Sequence, residues 1–154
     1  MTTTPLIGHI GLQLWRASQL WQQRFAREMV EAGYPWYAEA RAALIPHIDR
    51  AGTRQTELTA RVGLSKQAVQ QLLDALVEDG VLERRPDPDD ARARLVCFTR
   101  KGLAVLADAN EVKKRIQGEY QRILGKAEFS RLVAALDQII SARDEAVDQE
   151  TKRP

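Results

Sequence analysis

The feature that most restricts the fold of this chain is a pair of short amphipathic segments on either side of Gly63-Leu64. The first covers about Gln55–Val62, and the second runs over about Lys66–Asp79. Glycine gives a tight turn the backbone freedom that it needs, and Ser65 can cap the helix that follows. Two helices joined by a turn of three or four residues form a helix-turn-helix, which is therefore the predicted motif.

The second of these helices is predicted to have one apolar and one polar side. Val69, Leu72, Leu73 and Leu76 recur at helical spacing and face inward. The opposite side carries Lys66, Gln67, Gln70, Gln71 and Asp74. Amide side chains can pair with adenine edges in the major groove, and lysine can contact guanine or phosphate. This side is a candidate for reading bases, and the alternative is an ordinary solvated helix surface.

The pattern changes to β after this helix. Two β-prone runs, Val81–Arg85 and Leu95–Thr99, enclose the polar segment Pro86–Arg94, which predicts a hairpin with a long turn. We expect Arg92 at the tip of this hairpin, where it and Arg94 can enter the narrow minor groove of DNA. The alternative role for such an arginine is a surface salt bridge.

Three further arginines flank these motifs. Arg84 and Arg85 lie on the first strand of the hairpin and Arg54 precedes the short helix, so all three are better placed for phosphates than for bases. The turn also holds three carboxylates that repel phosphate, those of Asp87, Asp89 and Asp90. We expect one or two of these carboxylates to pair with the hairpin arginines and hold them in shape.

Helical periodicity predicts four further helices, over Ile7–Met29, Trp36–Arg50, about Arg100–Leu124 and about Ala127–Val147. Pro46 bends or shortens the second of these, and Thr99 is a candidate N-cap for the third. The polar tail Asp148–Pro154 is expected to fray. The predicted fold class is mostly α with a small β-hairpin.

The first predicted helix is apolar on more than one side, because Leu12, Trp15 and Leu20 lie off its main apolar stripe. In a chain this small, such a helix is expected to meet a partner as well as its own core. The alternative is a monomeric core with a few exposed aromatic residues.

Composition limits the class of protein. The chain is 44% hydrophobic and 29% charged, as globular proteins are, and its single cysteine, Cys97, excludes an internal disulfide. No apolar run reaches the ~18 residues of a membrane helix, and residues 1–5 do not resemble a secretory signal. We therefore expect a cytoplasmic protein. The net charge of +2 arises within residues 50–101, which hold ten basic and eight acidic side chains.

Motifs for catalysis are lacking. We find no glycine-rich phosphate loop, no G-x-S-x-G sequence and no cluster of histidine and cysteine. His9 and His47 are isolated from each other and from other ligands, so they do not form a metal site. The sequence predicts a protein that is not an enzyme and that needs no cofactor.

The region from 53 to 102 resembles the MarR (multiple antibiotic resistance regulator) family. The run Asp90-Ala91-Arg92-Ala93-Arg94-Leu95-Val96 has the D-x-R-x-x-x-V pattern of the wing, which is the hairpin after the family's helix-turn-helix. Leu82–Asp90 and Phe98–Gly102 are similar to the first strand and to the start of the following helix. This resemblance implies a winged helix-turn-helix and a sequence-specific, DNA-binding transcriptional regulator that acts as a ligand-responsive repressor.

The resemblance also implies a homodimer in which the first and last helices of both chains interleave. It divides a single structural domain into an N-terminal dimerisation helix (1–35), a winged helix-turn-helix that binds double-stranded DNA (36–102) and C-terminal dimerisation helices (103–154). Two recognition helices on one dimer would contact two half-sites, so a roughly palindromic operator is expected. The resemblance further suggests that Asp90 braces Arg92.

Together these arguments predict a DNA-binding surface made of Arg54, Ser65, Lys66, Gln67, Gln70, Gln71, Arg84, Arg85, Asp90, Arg92 and Arg94. The alternative function is a winged helix that binds a protein partner and not DNA, but such a surface should expose apolar residues.

Many relatives respond to a small aromatic or phenolic effector bound between the dimer helices and the winged domain. The candidate residues for such a pocket are Trp15, Trp36, Tyr37 and His47. The alternative is that these side chains fill the core and the interface. Because no cysteine lies near the N-terminus and Cys97 falls in an apolar strand, we expect no thiol switch.

Overall fold

The computed structural model describes the backbone of residues 9–151 and the side chains of residues 9–90 and 92–142. Ile7, the N-terminal residues 1–5 and the last three residues of the predicted tail lie outside this part. The helices are α1 (Ile10–Glu31), α2 (Gln55–Val62), α3 (Lys66–Glu78), α4 (Arg100–Leu124) and α5 (Lys126–Thr151), and the strands are β1 (Thr53–Arg54), β2 (Leu82–Asp87) and β3 (Asp90–Phe98). The chain forms two compact units, one ending at Lys113 and the other beginning at Lys114.

The helix-turn-helix forms where the sequence predicts it. Gly63 adopts a left-handed conformation with φ of 69° at the end of α2, a conformation that costs glycine little because it has no Cβ. The Ser65 hydroxyl oxygen accepts a hydrogen bond of 3.2 Å from the backbone N–H of Ala68, as an N-cap does. These two local features fix the end of α2 and the start of α3.

The β region differs from the predicted two-stranded hairpin with a long turn. β1 adds a third strand, so the antiparallel sheet has the order β1-β3-β2. The turn is only Pro88-Asp89, because Pro86 pairs with Arg94 inside the ladder. Proline has no N–H to donate, and β2 lies at the edge of the sheet, where that donor is not needed.

The predicted helix over Trp36–Arg50 is also wrong. The structure has two 3-10 helices instead, Pro35–Ala38 and Ala40–His47. Pro35 begins the first of them and Pro46 lies inside the second. Pro46 lacks a backbone donor and would clash with the preceding turn of an α-helix. The extended backbone of Glu39 separates the two 3-10 helices, so no regular α-helix runs through this segment.

In the core of the first unit, the apolar side of α3 packs against the neighbouring elements. The largest fully buried side chains of this unit are, on α3, Val69, Leu73 and Leu76, and, outside α3, Met29, Leu44, Leu58, Val81, Leu82, Val96, Val105 and Val112. Complete burial of one large apolar side chain stabilises the folded state by about 1.5–3 kcal/mol. As predicted, Thr99 caps α4, since its hydroxyl oxygen accepts a hydrogen bond of 3.0 Å from the Gly102 N–H. Cys97 is buried in β3.

Candidate nucleic-acid interface

The polar side of α3 is exposed at its N-terminal end. Lys66, Gln67 and Gln71 are exposed and take part in none of the hydrogen bonds described. Ser65 is exposed as well, but its hydroxyl is occupied as the helix cap. Among the described residues, the side chains of Lys66, Gln67 and Gln71 therefore project from the first two turns of the recognition helix, α3, without a hydrogen-bond partner.

Gln70 differs from these three residues because its amide is engaged on both sides. Its Oε1 accepts a hydrogen bond from the Gln55 side chain, and its Nε2 donates to Asp74 at 2.9 Å. Asp74 also accepts from the Arg84 guanidinium at 2.6 Å. Arg84, and then Gln70, lower the pKa of Asp74 below its usual value. This chain of contacts joins α2, α3 and β2 across the predicted DNA-binding surface.

The hairpin of β2 and β3, hereafter the wing, does not place Arg92 at its tip. The tip is Pro88-Asp89, and Arg92 lies in β3, where it is exposed, as is Arg94. The prediction about its position was therefore wrong, because the ladder continues beyond the residues assigned to the turn. Asp90 accepts a hydrogen bond of 3.0 Å from the Arg92 backbone N–H. It holds the backbone at the start of β3, while no ion pair to the Arg92 guanidinium is present among the described side chains.

Asp87 is the carboxylate of the turn that does pair with an arginine. It is only 5% exposed, whereas Asp89 and Asp90 are exposed. Its partner is Arg54, whose Nε lies 2.5 Å from Asp87 Oδ2. The backbone N–H of Asp89 and then the Arg54 guanidinium lower the pKa of Asp87. Arg54 precedes α2 and does not belong to the wing, so the predicted pairing has the expected chemistry but a different arginine.

The arginines assigned to phosphates are partly occupied. Arg84 binds Asp74, and Arg85 binds Glu83 through its Nε at 2.8 Å. Both pairs lie at the surface, although Arg84 and Glu83 are half-buried. Ion pairs at the surface typically contribute about 0–1 kcal/mol, so a phosphate can compete for either arginine. Arg92, Arg94 and Lys66 have no such competitor among the described residues.

An open cleft of about 410 Å³ lies between the helix-turn-helix and β3. Its walls come from Arg54, Gln55, Thr56, Thr59, Lys66, Arg92, Ala93 and Arg94. The four cationic side chains and the N-terminal turn of α2 make it a favourable place for an anion such as a phosphate. Sequence reasoning missed Gln55, Thr56 and Thr59. The polar start of α2, directly after Arg54, is the signal that could have found them.

Only part of the predicted effector pocket comes together. Trp36 and Tyr37 are buried and stack with ring centroids 4.3 Å apart, and Phe25 meets Tyr37 edge-on. Burial raises the pKa of Tyr37 to about 12. Trp15 is 61% exposed on α1 and takes part in none of the described ring contacts. His47 is half-buried, and its carbonyl oxygen accepts a hydrogen bond from Arg61. Trp36 and Tyr37 therefore pack as core residues in this conformation.

Among the described residues, no three histidine, cysteine, aspartate or glutamate side chains lie close enough to hold a metal ion. None of the helices in the same part of the chain is both long and apolar enough to cross a membrane.

Comparison with known proteins identifies relatives of this arrangement. A model of the MarR family matches residues 40–93, which include the helix-turn-helix and most of the wing. The transcriptional regulator HosA of Escherichia coli O111:H- is 30% identical over 105 residues, which are 66% of this chain and 75% of HosA.

Solved structures agree on the fold. The crystal structure of MarR from E. coli superposes with a TM-score of 0.67 at 24% identity, covering 88% of this chain and 98% of that one. The structure of NadR in complex with 4-hydroxyphenylacetate gives a TM-score of 0.66 at 16% identity, covering 90% of this chain and 97% of NadR. At these identities the likeness establishes a winged-helix fold of the same type and nothing finer.

Proposed function

This chain belongs to the MarR family of transcriptional regulators, and we propose that it binds a roughly palindromic operator in duplex DNA as a homodimer and acts as a ligand-responsive repressor. The family consists of regulators rather than enzymes. The alternative function, a module that binds protein and not DNA, receives no support from this assignment.

The observation that carries the proposal is the set of unoccupied polar side chains on α3 and β3. Gln67 and Gln71 project from the recognition helix with free amides, which suits them to base edges in the major groove. Arg92 and Arg94 are exposed on the adjacent strand, which suits them to the minor groove or its phosphates. A helix and a hairpin with this division of roles support sequence-specific binding to a duplex.

The cleft between α2 and β3 is the proposed site for a backbone phosphate. Lys66, Arg92 and Arg94 supply positive charge, and the first turn of α2 supplies unpaired backbone N–H groups around Thr56. Phosphate contacts of this kind fix the register of the protein on the duplex without reading sequence. We expect each cation of the cleft to contribute to the salt dependence of binding.

Exposed apolar residues support the homodimer. On α1 they include Ile10, Leu12, Leu14, Trp15 and Leu20, and on α5 they include Leu132, Val133, Ile139 and Ile140. Apolar surface of this extent on two long helices is unfavourable in water and suggests a partner. A second copy of the chain is the partner that the family fold implies, and it would place two recognition helices for two half-sites.

Ligand response is the finer part of the proposal. The NadR structure contains a phenolic acid, and Phe25, Trp36 and Tyr37 form an aromatic cluster of suitable chemistry for such a molecule. Because Trp36 and Tyr37 are buried here, the cluster must open to admit it. We propose that a small aromatic acid lowers the affinity for DNA. Titration of 4-hydroxyphenylacetate into the protein–DNA complex tests this step. Release of DNA and quenching of tryptophan fluorescence at the same concentration would support it, and no change in either signal would refute it.

The experiment that tests the proposed function is selection from a random pool of duplexes by the purified protein. We expect enrichment of one sequence with two similar, inverted half-sites whose centres lie about 10 base pairs, or a multiple of that, apart. Enrichment of no sequence over several rounds would contradict sequence-specific binding. Enrichment of a single unrepeated half-site would contradict binding as a symmetric dimer.

A further inference from the structure

The outer half of the wing lacks support from the sheet. β1 has two residues, and its pairing with β3 is limited to Thr53↔Val96 and Arg54↔Leu95. From Pro86 to Arg94 the strands pair only with each other, and the register shifts between Pro86 and Asp87. A hairpin of two strands is marginally stable by itself in water. Arg92 and Arg94 lie in this outer half, so their position depends on whatever else holds it.

The Arg54–Asp87 ion pair supplies that support. Among the described side chains, no other ion pair or hydrogen bond joins residues 86–94 to the helix-turn-helix. Arg54 lies directly before α2, and its side chain extends past the last pairing with β3 to reach the Asp87 carboxylate at 2.5 Å. The other carboxylate oxygen of Asp87 accepts the Asp89 N–H at 2.9 Å. One buried group therefore contacts both the turn of the wing and the start of the helix-turn-helix.

We propose that Asp87 is a positioning residue for DNA binding, which ties the wing turn to Arg54 and so fixes Arg92 and Arg94 across the cleft from α2. This inference rests on the proposed function of the wing. Asp87 itself does not contact DNA, because its carboxylate is covered and bears the charge that DNA repels. The carboxylate also keeps Arg54 at the wall of the cleft, with 44% of its side chain still exposed to a phosphate.

The positioning role of Asp87 and its charge alone predict opposite changes in DNA affinity when the carboxylate is removed. Asp87→Asn removes one negative charge from the DNA-binding surface, so simple electrostatics predicts tighter binding and a steeper salt dependence. If Asp87 positions the wing, the same change weakens binding to the selected duplex about tenfold, which lies in the range for coupled charged neighbours. It also flattens the salt dependence, since the arginines of β3 lose their phosphate contacts.

Asp89→Asn is the matched control. Asp89 is two residues away and exposed, and its carboxylate takes part in none of the described hydrogen bonds or ion pairs, so this variant makes the same change of charge without breaking the contact. We expect its affinity to be equal to that of the wild type or higher. The inference is wrong if Asp87→Asn binds as Asp89→Asn does.

Two further measurements separate a positioning role from general unfolding. Hydrogen exchange should increase in residues 86–94 of Asp87→Asn while α3 stays protected. Arg54→Gln, which changes a half-exposed residue, should weaken binding as well, and the double variant should lose little more than either single variant. Additive losses, or increased exchange throughout α3, would overturn the proposal. A wild-type protein that selects no duplex would instead refute the proposed function.

Discussion

Arg92 is the side chain through which a direct contact of the wing with DNA can be tested. It is exposed in β3, and among the described side chains nothing neutralises its guanidinium. We expect Arg92→Ala to lower the affinity for the selected duplex about tenfold, because a guanidinium in a narrow minor groove gains from the enhanced negative potential there. Since the site is exposed, the free energy of unfolding should change by less than about 0.5 kcal/mol. Affinity titrations and thermal unfolding measure the two effects.

Arg85→Ala is the control for that measurement. It removes the same charge from the opposite strand of the wing, where Arg85 is paired with Glu83. Its effect on affinity should be smaller, because a phosphate must displace that carboxylate first. Equal losses in the two variants would mean that net charge matters and the position of Arg92 does not.

Gln67 and Gln70 are predicted to behave differently although they occupy the same side of α3. The amide of Gln67 has no hydrogen-bond partner among the described residues, whereas the amide of Gln70 is held by Gln55 and Asp74. Gln67→Ala should cost about 1–3 kcal/mol on the selected duplex and leave binding to random duplex unchanged, as expected for a residue that reads a base. Gln70→Ala should reduce the preference for the selected duplex over random duplex less than Gln67→Ala does. Competition titrations with both duplexes test this, and a neutral Gln67→Ala would show that the recognition surface lies elsewhere.

At the scale of elements, local chemistry determined which parts of the fold could be predicted. α3 and α4 begin where the sequence predicts, because Ser65 and Thr99 cap their first turns. α2 ends where the sequence predicts, because Gly63 adopts the left-handed conformation there. The segment from 35 to 47 could not be predicted in the same way. Its apolar spacing is helical, but the backbone is extended at Glu39, and Pro46 cannot donate the hydrogen bond that a continuous α-helix over this segment requires.

The wing shows a second limit of sequence reasoning. Pro86 and the acidic residues after it suggest a long loop, yet Pro86 pairs within an edge strand. Whether a proline is tolerated depends on which strand lies at the edge, and this is a property of the whole sheet. The sequence could not show that Asp87, and not Asp90, pairs with an arginine. That arginine is Arg54 of β1, and a strand of two residues is too short to recognise by its pattern.

The N-terminal turn of α4 packs closely against Val81, the residue before β2, and glycine makes this possible. A Cβ added to Gly102 would lie 2.1 Å from the Val81 carbonyl oxygen, which is backbone and cannot rotate away. We expect Gly102→Ala to lower the free energy of unfolding by about 1–3 kcal/mol, as overpacking does. Chemical denaturation measures this change.

Gly118→Ala, in the same helix, is the control. A Cβ at Gly118 would meet no atom of the described residues within 4 Å. There alanine should stabilise the helix by about 0.5–1 kcal/mol through its higher helix propensity. If both substitutions changed stability in the same direction, the packing of α4 on Val81 would not be the cause.

At the scale of the whole molecule, the account predicts a dimer through the exposed apolar sides of the terminal helices. The protein should sediment at about twice the 17.4 kDa of one chain. Ile140→Glu, at a residue that is 57% exposed on α5, should shift the equilibrium to monomers because a carboxylate cannot be buried in an apolar interface without a large cost. Sedimentation over a range of concentrations measures this shift.

Gln138→Glu adds the same charge to the other side of α5, which the 3.6-residue period places away from Ile140. It should leave the dimer intact. A wild-type protein that remains monomeric at micromolar concentration, or two variants that dissociate equally, would exclude this interface.

The most direct measurement of the central claim, that α3 and the wing bind duplex DNA together in a symmetric dimer, is a footprint on the selected duplex. We predict two protected major-groove segments with centres about 10 base pairs, or a multiple of that, apart, each flanked by minor-groove protection. In Arg92→Ala the minor-groove protection should disappear while the major-groove protection remains. A single protected segment, or minor-groove protection that is unchanged in Arg92→Ala, would contradict the account.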